Sequence, residues 1–308
     1  MAEPDELYTL RAQYWLGHYS LAFDEGRSSA RRPMPAHLKS EREELMLRIQ
    51  LAMGQYDRVM AEGTGTGGDK APALQALALH ASYLSSSEDD ESRRHAAVLD
   101  QLKALLASTP DAMSNTSLQL VACHIFLAAN HIREALQCVH HGLTMEHLAM
   151  CVQIYIKMER LDLARDALNL MKQADEDSVL VQLTSAHLAM AHGSSRSDDA
   201  THILASLSEQ YGPSLMLLNC MAVANIVGGK YEAAEGNLKE AIADFGGEND
   251  PDTLVNMVVC SQYLGRKGGE MDKYLNALKV GHASHPFVQG LVQVEGAFER
   301  EASKYLTA

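Results

Sequence analysis

The stretch from Met145 to Met171, MEHLAMCVQIYIKMERLDLARDALNLM, decides the fold. Its first half places a set of apolar side chains on one helical face: Met145, Leu148, Val152, Tyr155 and Ile156. Its second half does the same with Leu161, Ala164, Ala167, Leu168 and Met171. Because so few residues separate the two patterns, the helices must be antiparallel neighbours. The stretch therefore predicts one helical hairpin.

The break inside this hairpin recurs along the chain. Each copy has a turn residue, a bulky residue two positions later and a small residue three positions after that. The small residues of the clear copies are Ala22, Val59, Ala135, Ala164 and Ala234, and weaker copies are centred on Ala97, Ala200 and Glu270. Successive anchors lie 29 to 38 residues apart, close to the ~34 of a tetratricopeptide unit. We expect positive φ at each turn residue and close approach of the helices at each small residue.

The period predicts an all-α, tetratricopeptide-like α-solenoid of antiparallel helix pairs over residues 1–283. One hairpin cannot bury its apolar stripe alone, so neighbours must stack, and the first helices of the pairs line a concave face. From Pro286 onward, an apolar stripe predicts a last helix that caps the array within residues 284–308: Phe287, Leu291, Val294, Phe298 and Tyr305.

Local signals place several helix ends. Asp250 followed by Pro251 predicts an N-cap and a proline in the first turn. Asn115-Thr116-Ser117 matches a glycosylation sequon, but we interpret it as a helix start. Ser40 with Glu43 predicts a capping box that opens a helix. Arg27 to Lys39 and Ser85 to Ser92 are expected to be solvated connections.

Composition excludes several classes of function. The 308 residues include 26 Lys and Arg against 40 Asp and Glu, for a formal net charge of −14. This sign disfavours nucleic acid and direct docking on anionic lipid. No apolar run is long enough to span a membrane, and the N-terminus lacks the pattern of a signal peptide, so we expect a cytoplasmic chain without membrane insertion. An odd set of five cysteines without a C-x-x-C pair predicts no disulfide framework.

The usual catalytic patterns are weak or missing. Gly63 to Gly68 fits G-x-G-x-x-G, but helices rather than a strand precede it, so we interpret it as a linker and expect no cofactor. His140, His141 and His147 form the densest histidine group. Adjacent histidines on a helix diverge by about 100°, so we expect no metal site. Neither a triad nor a zinc-protease motif is present, and we expect no enzyme.

Several stretches between the anchors resemble one family, the epsilon subunits of coatomer. They are Asp5 to Tyr19, Met158 to Arg165, Ala174 to Asp177, Tyr231 to Gly236, Asp252 to Asn256 and Ser284 to Phe287. The resemblance implies a non-catalytic structural subunit of the COPI vesicle coat. It also implies binding and stabilisation of the C-terminal region of the coatomer alpha subunit, within the coatomer heptamer on Golgi membranes, in Golgi-to-ER retrograde and intra-Golgi transport.

The small anchors also predict where a partner would bind. Counting back from them places eight side chains on the concave face: Leu120, His124, Ala149, Gln153, Asn219, Val223, Val259 and Gln262. They are mostly apolar or neutral, which favours a largely apolar contact with an extended or hairpin segment. A general tetratricopeptide adaptor for short peptides is the alternative, and it differs by forming no stoichiometric assembly.

Overall fold

The computed structural model describes residues 5–64, 70–85, 91–266 and 269–306. Within these ranges the regular structure is helical, without strands. The first eleven helices are α1 Tyr8–Trp15, α2 Tyr19–Ser29, α3 Ala36–Ala52, α4 Tyr56–Thr64, α5 Pro72–Leu84, α6 Glu91–Ser108, α7 Thr116–Ala128, α8 Ile132–Val139, α9 Met145–Lys157, α10 Leu161–Ala174 and α11 Val179–Ala191. The other six are α12 Ser197–Tyr211, α13 Leu215–Val227, α14 Tyr231–Phe245, α15 Pro251–Tyr263, α16 Gly269–Gly281 and α17 Pro286–Leu306. The predicted all-α class is confirmed.

The chain divides into two compact units after Ala191. Unit 1 contains α1 to α11, and unit 2 contains α12 to α17. Each unit has its own apolar clusters, with Ile125, Ile154 and Met171 in unit 1 and Leu238 and Met257 in unit 2 among the buried side chains. The boundary predicted between residues 283 and 284 falls in the connection between α16 and α17.

The hairpin turns follow one backbone pattern. The predicted turn residues all have positive φ: Gly17 78°, Gly54 74°, Asn130 59°, Glu159 58° and Gly229 73°. After each, an N–H bonds back to a carbonyl five residues earlier, as from Arg160 to Tyr155 at 2.8 Å and from Lys230 to Asn225 at 2.8 Å. This is the Schellman ending of a helix. It directs the chain into the second helix of each pair.

The small anchors of the clear copies lie where the helices approach each other, as predicted. Ala22, Val59, Ala135, Ala164 and Ala234 are all fully buried, and so is Ala200 from a weaker copy. The other two weak copies are wrong, because Ala97 and Glu270 are exposed. Beside Ala97, Val98 is the buried residue, at 4% exposure. The letters alone do not separate these two neighbouring positions, since both are small and apolar.

Helix starts test the local predictions. The Asp250 carboxylate accepts from the Thr253 N–H at 2.8 Å, and Pro251 opens α15. Likewise, the Asn115 side chain accepts from the Leu118 N–H at 3.0 Å and caps α7. The capping box at Ser40 is wrong, because α3 begins at Ala36 and the Ser40 hydroxyl donates to the carbonyl of Ala36.

The predicted connections differ in extent. The Arg27 to Lys39 connection is shorter than expected, since α2 runs to Ser29 and α3 begins at Ala36. The loop from Ser85 to Ser92 and the glycine-rich segment from Gly63 to Gly68 lie largely outside the described residues.

Candidate partner-binding surface

In unit 1, the first helices of the pairs place a row of polar side chains on their shared face. Arg48 comes from α3, His80 from α5, His124 from α7, Gln153 from α9 and His187 from α11. Two pairs within the row contact each other. The rings of His80 and His124 stack with centroids 6.2 Å apart, and the Gln153 amide lies 2.5 Å from Nδ1 of His187.

Glu146 is the centre of a buried charge cluster beside this row. The Arg48 guanidinium donates to both Glu146 oxygens, at 3.0 and 2.8 Å, and Trp15 Nε1–H donates to Oε1 at 2.8 Å. Arg48 also lies 3.8 Å from the Glu44 carboxylate and 4.9 Å from the centre of the Tyr14 ring. A bidentate ion pair thus joins α3 to α9, and the Trp15 hydrogen bond joins α1 to α9.

The pKa values of the cluster follow from its burial and its charges. Burial alone would raise the pKa of Glu146, but the Arg48 charge and the hydrogen bonds from Arg48 and Trp15 outweigh it and lower the pKa to about 2. At Glu44 burial dominates and raises the pKa. Burial lowers the pKa of His124 to about 4, with a further contribution from the Arg48 charge. Glu146 and Arg48 are therefore both charged at neutral pH, and His124 is neutral.

A cavity of about 670 Å³ opens beside the cluster. It lies among α1, α3 and the first turns of α5, α7 and α9, and its wall includes Arg11, Trp15, Glu41, Ser117 and Leu120. Two helix starts reach this wall, because Asn115 caps α7 and Thr144 caps α9. The lining is mixed, because it includes charged, hydroxyl and apolar side chains.

The four predicted residues of unit 1 are mostly covered by the unit itself. Leu120 is 3% exposed in the cavity wall, and Ala149 is 8% exposed. His124 and Gln153 are half-buried in the polar row. The face of the first helices in unit 1 is therefore more polar and more enclosed than the predicted residues indicate.

The four predicted residues of unit 2 are more accessible. Asn219 is half-buried on α13, where its amide donates to Thr253 Oγ1 at 2.7 Å and its oxygen accepts from the Asn256 amide at 3.1 Å. Val223 and Val259 are half-buried, and Gln262 is exposed. The described α13 carries no charged residue along its 13 positions. On α15 the charged residue is Asp252 in the first turn, which is exposed. A partly accessible surface therefore spans α13 and the part of α15 beyond Asp252, and neither helix contributes a charge to it.

The charge cluster was not predicted from the sequence, although counting back from the small anchors points to two of its residues. Leu120 and His124 stand fifteen and eleven residues before the anchor Ala135. The same count from the anchor Val59 gives Glu44 and Arg48. Trp15 had no such signal, because its contact with Glu146 spans 131 residues.

The histidine group has a different geometry from the one expected. α8 ends at Val139, so His140 and His141 follow the helix, and their rings lie 3.8 Å apart instead of diverging along it. His147 is buried, and its Nε2 lies 2.9 Å from the carbonyl of Thr116. In the described part of the chain, no group of three or more His, Cys, Asp or Glu side chains could hold a metal ion.

Two further observations concern the described ranges. None of their helices combines the length and the apolar character needed to cross a membrane. The five cysteines are free thiols, and burial raises the pKa of Cys220 and of Cys260 to about 11.

Comparison with solved structures supports the repeat fold. A tetratricopeptide repeat protein from Parabacteroides merdae superposes with a TM-score of 0.56 and 12% identity, covering 89% of this chain and 97% of that chain. The APC/C hetero-tetramer Cut9-Hcn1 gives a TM-score of 0.50 and 15% identity, covering 97% of this chain and 58% of that chain. At these identities the likeness shows the fold alone, a tetratricopeptide-like α-solenoid.

Comparison of the sequence shows the family. The model of the coatomer epsilon subunit family matches residues 3–306. Coatomer subunit epsilon-1 of Arabidopsis thaliana is 38% identical over 307 residues, covering 99% of each chain. Coatomer subunit epsilon of Dictyostelium discoideum is 29% identical over 308 residues, covering 98% of this chain and 99% of the relative. The chain therefore belongs to the coatomer epsilon subunit family, whose members are non-catalytic helical-repeat subunits of the COPI vesicle coat.

Proposed function

We propose that this coat subunit binds the C-terminal region of the coatomer alpha subunit and stabilises it. The observation that carries the proposal is the surface of α13 and α15 in unit 2, to which the two helices contribute one charged residue, Asp252 in the first turn of α15. Val223 and Val259 are half-buried there and Gln262 is exposed, so all three remain within reach of a partner. A surface with an apolar centre and few charges suits a long-lived contact, for which we expect well above about 1,200 Å² of buried area.

The amide network beneath this surface supports a rigid binding site. Asn219 bonds to Thr253 and Asn256, so α13 and α15 are held together by side-chain hydrogen bonds as well as by packing. Asp250 caps α15 and accepts from the Thr253 hydroxyl at 2.7 Å. A surface whose groups are already ordered costs less conformational entropy on binding.

The predicted residues of unit 1 have a smaller part in the proposal. His124 and Gln153 are half-buried and can contact a segment that enters the face of the first helices. Leu120 and Ala149 are buried by their neighbours, so they can contribute little direct contact with a partner. We therefore assign most of the contact area to unit 2.

The proposal is tested by placing charge on the α13 and α15 surface. Val223→Glu combined with Val259→Glu should release a C-terminal fragment of the alpha subunit in a pull-down, because two carboxylates would be buried without partners. Circular dichroism should remain helical. A matched control is Leu21→Glu with Leu170→Glu, two residues of second helices that are 54% and 53% exposed. Retention of the fragment by the first double variant would contradict the proposed surface.

Membership of the coat also implies where the chain acts and in which complex. We propose that the chain is cytoplasmic and reaches Golgi membranes and coated vesicles through the coatomer heptamer, in retrograde and intra-Golgi transport. Native mass spectrometry of the purified complex should find this chain in one stoichiometric assembly. A general tetratricopeptide adaptor, the alternative, would instead release this chain and exchange short peptides.

A further inference from the structure

The cavity beside Glu146 has the size and the lining of a binding site. Its volume of about 670 Å³ lies within the usual range for ligand pockets, about 300–1,000 Å³. Trp15, Leu74 and Met145 give its wall an apolar part. Arg48 belongs both to this wall and to the polar row along the first helices. The cavity therefore offers volume and apolar surface to a segment that follows the row.

Two carboxylates share the guanidinium of Arg11. It donates to Glu41 at 2.6 Å and to Asp5 at 2.5 Å. Both Arg11 and Glu41 belong to the cavity wall. Because one guanidinium balances one carboxylate, a negative charge is left over at this side of the cavity.

Two carboxylates also share Arg48. It bonds to both oxygens of Glu146 and lies 3.8 Å from the carboxylate of Glu44, whose side chain is only 12% exposed. Burial is the main reason why the pKa of Glu44 is raised, and the charges of Glu146 and Glu41 raise it further. The charge of Arg48 and the Ser117 hydrogen bond offset only part of this rise in the pKa. A cation beside Glu44 would lower the pKa and would itself be stabilised.

The other charged groups near the wall do not remove this excess. Arg42 lies 4.0 Å from Glu43, so it can balance that exposed carboxylate alone. Lys70, which precedes α5, donates to the backbone carbonyl of Glu62. Among the described residues of the wall, His37 is the one titratable side chain besides the arginines and the glutamates. An excess of negative charge therefore remains around the cavity.

This lining favours a cation with an apolar stem over an anion. The donors of Arg11 and Arg48 already bond to carboxylates of the same chain, so an anion would have to compete with them. Asn115 and Thr144 cap the two helices that begin at the wall. Lys and Arg, in contrast, combine a charged head with a methylene stem that packs on apolar surface.

We propose that this cavity binds one Lys or Arg side chain from the C-terminal region of the alpha subunit. Its charged head contacts Glu41 and Glu44, and its stem packs on the apolar wall. The inference rests on the proposed function and adds to it a specific site in unit 1. A charge that leaves water only for a matching cavity mainly provides specificity, because a partner without it leaves the carboxylates unbalanced.

The double variant Glu41→Gln with Glu44→Gln removes the excess charge alone. Arg11 keeps its bond to Asp5, and Arg48 keeps both bonds to Glu146. Circular dichroism of the free chain should therefore remain helical. If the double variant loses helix, Glu41→Gln alone serves in the same experiment, because that side chain is 38% exposed.

A double-mutant cycle between the full chain and the alpha-subunit fragment tests the proposal. Each Lys and Arg of the fragment is changed in turn to Met, and binding is measured to the unsubstituted chain and to the double variant. At one position, we expect the change to weaken binding about tenfold in the unsubstituted chain and less than about twofold in the variant. The matched control is Asp166→Asn, at an exposed position of α10, which should leave every effect unchanged.

Trp15 reports whether the basic side chain enters the cavity. It is the single tryptophan and lies in the wall, so 5-fluorotryptophan in this chain gives one ¹⁹F resonance. The fragment should shift this resonance, and the fragment with its coupled Lys or Arg changed to Met should shift it less. A resonance that moves with spermine but not with the fragment would assign the cavity to a free polyamine and overturn the proposal.

The outcomes separate this site from the proposed function. Binding of the fragment without coupling at any of its basic positions would overturn the cavity site and leave the proposed function in place. A fragment that does not bind the unsubstituted chain at all would contradict the proposed function and the cavity site with it.

Discussion

Glu146 has an environment that is unusual for its position on a helix. It occupies the first turn of α9, where a carboxylate would ordinarily face water, yet Arg48 and Trp15 surround it. Its side chain keeps 23% of its exposure, and that of Arg48 keeps 9%. An ion pair this enclosed adds little when compared with an apolar pair, but it is costly to break on one side only.

We therefore predict a strong asymmetry between single and double substitutions at this pair. Arg48→Met should lower the free energy of unfolding by about 3–5 kcal/mol, because it leaves the Glu146 carboxylate without its counter-charge. The combination of Arg48→Met with Glu146→Gln should recover much of this loss, with a coupling energy of about 2–3 kcal/mol in urea denaturation.

An exposed ion pair provides the control for this prediction. Arg160 and Asp162 are 2.7 Å apart, with 53% and 62% of their side chains exposed. Arg160→Met should leave the urea midpoint nearly unchanged, because solvent screens an exposed ion pair. Additive losses at Arg48 and Glu146 would contradict a coupled pair.

At the scale of elements, the hairpin turn is the feature that the chain repeats most regularly. Its turn residue holds positive φ whether it is glycine, asparagine or glutamate. For a residue with a Cβ, this conformation costs roughly 1–2 kcal/mol. The turns of the clear copies are thus alike in geometry but unequal in backbone strain.

This inequality predicts opposite effects at two turns. Gly229 has a φ of +73° and no atom within 4 Å of a Cβ added there, so Gly229→Ala introduces strain without a clash. The loss of stability should be about 1 kcal/mol. Glu159 has a φ of 58° and is exposed. Glu159→Gly should therefore raise stability slightly, by about 0.5 kcal/mol. Thermal denaturation of the two variants measures the difference, and equal losses would show that the backbone conformation is not the cause.

At the scale of the whole molecule, the two units differ in their histidines with lowered pKa values. Burial lowers the pKa of His80 to about 3 and of His187 to about 4. It also lowers the pKa values of His124 and His147. All of these residues belong to unit 1. Each must be neutral in the folded unit, whereas the unfolded chain binds a proton near pH 6.5.

Unit 1 should therefore lose stability when the pH falls. A histidine with a lowered pKa contributes stability that is complete above about pH 6.5 and is lost between that value and its folded pKa, at about 1.4 kcal/mol per pH unit. The fluorescence of Trp15, the single tryptophan, reports on unit 1, and circular dichroism reports on both units. Between pH 7 and 5, we expect the urea midpoint by fluorescence to fall and the dichroism transition to broaden.

Substitution identifies the groups responsible for this pH dependence. The double variant His80→Gln with His124→Gln should make the urea midpoint, measured by fluorescence, depend less on pH. The control is His202→Gln, at an exposed position in unit 2, which should leave the pH dependence unchanged. A midpoint that does not move with pH in the unsubstituted protein would contradict the assignment.

The fold was predictable because its determinants are local. The turn at Glu159 and the anchor Ala164 stand five residues apart, so a short window contains both the conformation and the packing. The weak copies at Ala97 and Glu270 show the limit, since an exposed residue of a helix can fit the repeat spacing as well as a buried one. The accessible surface around Val223 follows from the same counting, but the buried pair of Arg48 and Glu146 depends on a third helix that no local window contains.

The Trp15 to Glu146 hydrogen bond also sets an order of events during synthesis. The two residues are 131 positions apart, so at about 5–20 residues per second the ribosome needs roughly ten seconds to supply the acceptor. Throughout that interval α1 and α3 exist without the carboxylate that neutralises Arg48. The amino-terminal helices must therefore wait for α9 before they reach their final state, even though most helix–helix contacts in the described residues join helices that are close in the chain.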